Sequence, residues 1–154
     1  ESAVSAMESL VAEAVADGAV IRLGGKKPAG LGPNFFEPTV LTGVTPDMRL
    51  CREEIFGPLA PIMAFASEEE AVALANDTPY GLAAYLFTRD VGRIWRVSRA
   101  LEYGMVGVNE VTMACGEAPF GGVKESGLGR EGGSQGLEEY METKYVLLGR
   151  LDRA

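Results

Sequence analysis

From Leu59 to Asn109 short apolar runs alternate with amphipathic ones, and that alternation restricts the chain to few folds. "LAPIMAFA" (59–66), "LAAYLFT" (82–88) and "MVGVN" (105–109) are too short for helices. The first and last are nearly free of polar residues, as expected of strands covered on both faces. Between the first two runs, Ser67 and Glu70 stand three apart ahead of Ala71, Val72, Leu74 and Ala75. This is a capping box opening a helix, with Glu68, Glu69 and Glu70 at the positive end of its dipole. "NDTPYG" (76–81) stops it. Residues 90–103 read as a second helix, with Ile94, Val97 and Leu101 on one side and Gly104 as its C-cap. Strand, helix, strand, helix, strand is the pattern of a parallel sheet with crossover helices, so the fold class is α/β, a three-layer αβα unit with a mainly parallel sheet.

The flanks add detail. Val4, Met7, Leu10, Val11, Ala14 and Val15 recur on one helical face from the first residues, so the chain reads as opening inside a helix, cut from a longer sequence. That helix ends near Asp17-Gly18, and "AVIRL" (19–23) follows as a strand. "KKPAGLGPN" is loop, and "FFEPTVLTGV" (35–44) has strand composition with Pro38 placed at an edge or across a turn. Near the other end, residues 134–142 form a short helix, and "KYVLLG" (144–149) is an apolar strand with no later strand to pair with, which calls for a partner chain or domain. At 154 residues a chain buries roughly 68 to 70% of its unfolded surface, enough for one core and not for two independent domains.

Composition closes off several functions. Asp and Glu outnumber Lys and Arg 22 to 14, and a net charge of −8 disfavours phosphate backbones and anionic membrane surfaces. There is no histidine, and Cys51 and Cys115 have no C-x-x-C spacing, so no common zinc pattern exists. Two lone cysteines fit reduced thiols in a cytosol-like compartment. With no apolar run near the roughly 18 residues of a membrane span and no leader pattern, the expectation is a cytoplasmic protein that contacts neither membrane nor nucleic acid.

Three motifs invite a chemical reading. "GLGREG" (Gly127, Gly129, Gly132) matches a nucleotide-binding glycine pattern, but a loop precedes it where a buried strand is required. Its glycines fit tight turns and close backbone packing better. Cys51, beside Arg52, and Cys115, in the loop "TMACGEAPFGG", are read first as small hydrophobes; Cys115 is the better placed to approach a ligand. In "REEIFGPLAP" (52–61) Glu53 and Glu54 precede a stiff Phe56-Gly57-Pro58 turn. They are either solvated turn residues or include one carboxylate held to accept bonds from vicinal hydroxyls such as a ribose diol.

"REEIFGPLAPIMAF", "ANDTPYGLAAYLFTRD", "LEYGMVGVN" and "EAPFGGVKESGLGREGG", in this order and spacing, resemble the carboxyl-terminal third of the aldehyde dehydrogenase superfamily. The likeness is strongest to succinate-semialdehyde dehydrogenases, through "ALEYGMVGVN" and "PFGGVKESGLGREG", and it runs from the first helix to about Gly149. The resemblance implies residues 1–133 as the C-terminal part of a catalytic domain and 134–154 as a terminal helix and a strand that joins a sheet across subunits of a homo-oligomer. It assigns Glu54 to the nicotinamide ribose of NAD or NADP and Phe56 to a place beside the nicotinamide, and leaves Glu53 a turn residue. It assigns Phe120 to the substrate tunnel and Ala114, Cys115 and Gly116 to its mouth.

Such enzymes attack an aldehyde with a cysteine thiolate, transfer hydride to the cofactor and hydrolyse the thioester with a glutamate. Neither Cys51 nor Cys115 stands in the nucleophile's context. The resemblance therefore puts nucleophile, general base and cofactor-binding Rossmann half upstream, and implies that this stretch alone turns over no aldehyde. One departure bears on substrate: Ala114 aligns where succinate-semialdehyde enzymes commonly carry a serine, and a lost hydroxyl donor to a charged acceptor costs about 1.5 to 3 kcal/mol. Two other readings remain, a non-catalytic assembly module dimerising through 144–149 and an acyl-phosphate reductase of related architecture.

Overall fold

The computed structural model describes residues 2–149 and 152. Helix α1 (Ser2–Ala16) turns Val4, Met7, Leu10, Val11 and Ala14 inward, as their spacing dictates, while Val15 lies outside the buried stripe. The helix stops where Gly18 takes the left-handed conformation (φ +105°), which costs a residue without a Cβ nothing. Met7, Leu10, Val11 and Ala14 pack with Ala19, Leu41, Val44, Met48 and Leu50 into the core, with Phe36, Ile55, Leu59 and Met63 against its margin. Burial of each large side chain contributes about 1.5 to 3 kcal/mol before chain entropy is counted.

The chain divides into two compact units at the Asp77–Thr78 junction, where one unit was expected, and this core belongs to the first. In that unit β1 (Val20–Leu23), β2 (Thr39–Thr42) and β3 (Leu59–Ile62) form a sheet in the order β1-β2-β3. β1 runs antiparallel to β2, and β2 runs parallel to β3 with Thr39 opposite Leu59 and Thr42 opposite Ile62. Pro38 falls just before the central strand, outside the ladder, as a residue without an N–H must. Pro61 is accommodated because β3 is an edge.

β3 corrects one expectation. The ladder stops at Ile62, and Ala60 and Ile62 are exposed in alternation with Leu59 and Pro61, so one face is covered and not two. A continuous apolar run is compatible with either arrangement, and only the neighbours decide. Helix α2 (Glu68–Asn76) opens as expected: Ser67 Oγ accepts from the Glu70 N–H at 3.1 Å. The returning bond of the box reaches one residue further back, from the Ala66 N–H to Glu70 Oε2 at 2.7 Å.

A short 3₁₀ turn, Arg49–Cys51, is fastened to α1 by Arg49. Its Nε donates to Glu13 Oε2 at 2.7 Å, and its Nη2 to Glu13 Oε1 at 2.9 Å and Ser9 Oγ at 2.8 Å. Hydrogen bonds from Ser9 and then Arg49 hold the Glu13 carboxyl below the usual carboxylate range. A lowered folded-state value means that the contribution is complete above the ordinary carboxylate pKa and is lost as pH falls through the lowered one. We expect Arg49→Met to lower the urea midpoint slightly at about pH 7, and the difference from the parent chain to shrink as pH falls through the lowered Glu13 pKa. Parallel titration curves of the two midpoints would refute the coupling.

In the second unit, β4 (Tyr80–Gly81) pairs antiparallel with a later strand, β7 (Val123–Lys124). β5 (Ala83–Leu86) pairs in parallel with β6 (Met105–Val108), and helix α3 (Val91–Ala100) forms the crossover between them. The class is thus α/β with parallel and antiparallel ladders mixed. Asp90 caps α3 by accepting the Arg93 N–H at 2.8 Å, a bond that lowers its own pKa.

Gly104 is not the C-cap. The helix ends at Ala100 with Leu101 extended, and Gly104 instead donates its N–H to Gly81 O at 2.9 Å. A Cβ at 104 would come within 2.8 Å of Gly122 Cα, so the glycine permits backbones to approach closely. Only Gly107 of β6 is fully buried. The short helix expected over 134–142 is a 3₁₀ helix, Gln135–Tyr140. Residues 144–149 form no strand in this chain, and Tyr145, Val146, Leu147 and Leu148 are exposed.

Candidate functional site

The turn carrying Glu54 and Phe56 is held at nearly every other position. Leu50 is buried, Cys51 packs on the core, and Arg52 donates from Nη2 to Asp77 Oδ2 at 3.1 Å just past α2. Glu53 pairs with Arg49 at 3.2 Å, and Ile55 packs against the core cluster. At Gly57 a Cβ would collide with the Met7 side chain, so glycine lets the chain cross α1. The Pro58 carbonyl then accepts the Thr39 N–H at 2.8 Å, entering the sheet. Thr39 is itself buried, its Oγ1 donating to Glu37 O and accepting the Gly25 N–H, both at 2.8 Å.

Two side chains in this stretch are left over. Glu54 is exposed and has no hydrogen bond or ion pair to the described residues, and Phe56 is 87% exposed. The two adjacent glutamates therefore have different fates: Glu53 is occupied by a neighbouring guanidinium, while Glu54 is a full charge on a fixed turn.

The second candidate group lies wholly in the second unit. Ala114, Cys115, Gly116, Phe120, Glu131 and Gly132 line a cavity of about 500 Å³. Phe120 also borders a cavity of about 400 Å³ with Leu82, Tyr85 and Met105, and one of about 660 Å³ with Leu82 and Arg130. The structure thus brings Phe120, Ala114 and Cys115 together, with the ring as a shared wall.

The loop before Phe120 starts from a fixed point. Asn109 (φ +55°) accepts the Thr88 N–H at its Oδ1 and donates from Nδ2 to Thr88 O, both at 2.8 Å, extending the β5–β6 ladder with a side chain. Glu110 then accepts from the backbone N–H groups of Thr112 at 2.9 Å and Val111 at 2.7 Å, which hold its carboxyl below the usual range.

Cys51 goes no further as a nucleophile. Burial pushes the Cys51 thiol up despite the nearby Arg52, the opposite of what a nucleophile needs. Among the described residues no cluster of three or more His, Cys, Asp or Glu could hold a metal ion, and no helix is long and apolar enough to cross a membrane.

A model of the aldehyde dehydrogenase family matches residues 1–146. The chain belongs to the aldehyde dehydrogenase family. It is 55% identical over 152 residues to the mitochondrial succinate-semialdehyde dehydrogenase of Oryza sativa subsp. japonica, covering 99% of this chain and 29% of that protein. It is 56% identical over 153 residues to the 3-sulfolactaldehyde dehydrogenase of Pseudomonas putida, covering 99% of this chain and 31% of that one.

Among solved structures, the succinate-semialdehyde dehydrogenase of Burkholderia pseudomallei superposes with a TM-score of 0.87 at 62% identity, over 91% of this chain and 29% of that one. A betaine aldehyde dehydrogenase of Staphylococcus aureus in complex with NAD+ gives a TM-score of 0.84 at 43% identity, over 93% and 30%. The chain spans about three-tenths of the length of the curated relatives it matches.

Within this aldehyde dehydrogenase chain the glycine motif at 127–132 has a structural place. Gly127, Gly129 and Gly132 all have positive φ. A Cβ on Gly129 would lie 2.9 Å from the carboxyl carbon of Glu139, so an anion already faces the turn where a phosphate would have to enter. Two residues that sequence reasoning passed over stand here, Arg130 and Glu131. The signal was present, since both lie inside the motif, but attention to its glycines hid them.

Proposed function

We propose that the protein carrying this chain is an NAD(P)-dependent aldehyde dehydrogenase that oxidises succinate semialdehyde to its carboxylic acid. The observation that carries this reading is Glu54, a carboxylate on an anchored turn whose charge no described neighbour occupies. Two oxygens with free lone pairs suit a vicinal diol, and the exposed Phe56 ring beside it suits the edge of a flat heterocycle, so the residues present fit a nicotinamide riboside. When bound, that group supplies a hydride acceptor. Glu54 orients the ribose, Phe56 shields one side of the ring, and Phe120 with residues 114–116 holds the aldehyde and excludes water.

In the complete protein, residues 1–133 belong to a three-layer αβα catalytic domain and 134–154 to an oligomerisation segment. The exposed Tyr145, Val146, Leu147 and Leu148 favour that role, since apolar side chains in an extended segment are satisfied by an added ladder. The thiolate and the base that activates water lie outside this chain.

Two kinds of relative named above, the succinate-semialdehyde and 3-sulfolactaldehyde dehydrogenases, have aldehydes in their names whose far end carries a carboxylate or a sulfonate. No cation lines the 114–116 cavity among the described residues, so the countercharge for that end comes from elsewhere in the protein. Ala114→Ser adds a hydroxyl donor at the mouth. We expect it to raise kcat/KM for succinate semialdehyde by up to about tenfold, the lower end of a bond to a charged acceptor, and to leave an uncharged aldehyde of equal length unaffected. Equal changes for both aldehydes would remove residue 114 from contact with the substrate's far end.

The function itself is tested by following reduced nicotinamide when the complete protein is given succinate semialdehyde with NAD or NADP. Turnover that requires inorganic phosphate would assign an acyl-phosphate reductase instead, and no turnover with any aldehyde would favour an assembly role.

A further inference from the structure

We infer that Arg130 is a positioning residue for Phe120, and that the glycine-rich stretch 127–133 is the brace that aims this ring at the aldehyde. The inference rests on the proposed function for the word aldehyde, and on geometry alone for the brace.

The stretch lies antiparallel behind the loop that carries the site. Phe120 and Glu131 exchange both backbone hydrogen bonds at 2.7 Å, an isolated bridge with no neighbouring ladder. Two positions further, the Gly133 N–H donates to Gly116 O at 3.0 Å, at the mouth of the cavity. On the other side, Arg130 Nη1 donates to Gly122 O and to its own strand's Gly129 O, both at 2.7 Å. One charged donor thereby ties residue 122 to residue 129 where the backbone offers no ladder bond, and a charge-assisted bond is roughly twice as strong as a neutral one.

The glycines fit this arrangement. A Cβ at 121 would lie 2.8 Å from Arg130 Cδ, a Cβ at 122 would lie 2.8 Å from Ser126 Cβ, and one at 132 would lie 2.8 Å from Ala118 O. Gly121 and Gly132 are thus required by the closeness of the two segments, and Gly122 by Ser126 in the turn that joins them. Motifs that look separate in sequence, 119–122 and 127–132, form one unit with Phe120 at its front and Arg130 at its back. Without the guanidinium the bridge at 120 stands on two backbone bonds beside an open cavity, and the ring is free to swing.

The test uses Arg130→Met, which keeps most of the stem and removes the donors, and Arg130→Lys, which keeps the charge, both in the complete protein. Amide hydrogen exchange at Phe120 and Glu131 should accelerate about tenfold or more in the Met variant, while the Asn109 amide stays protected. kcat/KM for the aldehyde should fall about ten- to a hundredfold with the KM for cofactor unchanged, and the Lys variant should recover part of the loss. Faster exchange in a protein that oxidises no aldehyde would keep the brace and overturn only the proposed function. Should the Met variant fail to fold, the Lys variant carries the same readouts. Parent-like exchange and kinetics in a folded variant, or equal losses toward aldehyde and cofactor, would overturn the inference.

Discussion

Glu54→Gln in the complete protein is expected to lower kcat/KM measured with cofactor varied by about ten- to a hundredfold, the range for losing a hydrogen bond to a charged group. Glutamine keeps the shape and one acceptor oxygen but loses the charge and the second acceptor. Because the exposed Glu54 side chain makes no hydrogen bond or ion pair to the described residues, thermal stability should be unchanged, and the effect should fall on cofactor handling alone. The neighbouring substitution is the control. Glu53→Gln breaks the 3.2 Å pair with Arg49, whose partners are 38% and 54% exposed, so it should cost little stability and leave the kinetics intact. If the two variants behave alike, the division of labour between these adjacent carboxylates is wrong.

Leu41→Ala is expected to destabilise the fold by about 2 to 5 kcal/mol, read from urea unfolding. Leu41 has no exposed surface, sits in the central strand between Ile21 and Pro61, and belongs to the cluster formed with α1. The same sheet receives the turn bearing Glu54 through the Pro58–Thr39 bond. Loss at this position should therefore reach the turn bearing Glu54 by unfolding it, unlike the local effect of Glu54→Gln. An unfolding midpoint equal to the parent's would show that this core is not where the first unit's stability lies.

Much of this was legible wherever one local rule had no competitor. The 3.6-residue spacing from Val4 to Ala14 predicts the buried stripe of α1, and Ser67 with Glu70 predicts the start of α2. Pro38, expected at an edge or across a turn, stands instead just before the central strand β2, where its missing N–H removes no ladder bond. Legibility failed where a residue's job is set by something distant in sequence. Gly104 resembles a helix terminator until Gly81 and Gly122 are seen beside it. The apolar run after Pro58 does not disclose that β3 is an edge with one open face. An apolar segment such as 144–149 becomes a strand only when another strand offers it a ladder.

The site was read unevenly for the same reason. Phe120, Ala114 and Cys115 sit within one loop, and the structure places them on one cavity. The preference for Glu54 over Glu53 rests on resemblance alone, and the pairing of Glu53 with Arg49, four residues away on the 3₁₀ turn, leaves no mark in the sequence. Arg130 escaped notice because its partners are backbone carbonyls, which leave no mark in a sequence.

The most direct measurement is a crystal structure of the complete protein with NAD or NADP bound. The account predicts the Glu54 carboxylate within about 2.5 to 2.7 Å of the nicotinamide ribose hydroxyls, with Phe56 beside the ring. A cofactor bound with that carboxylate still in solvent, and its ribose held by other residues, would contradict it.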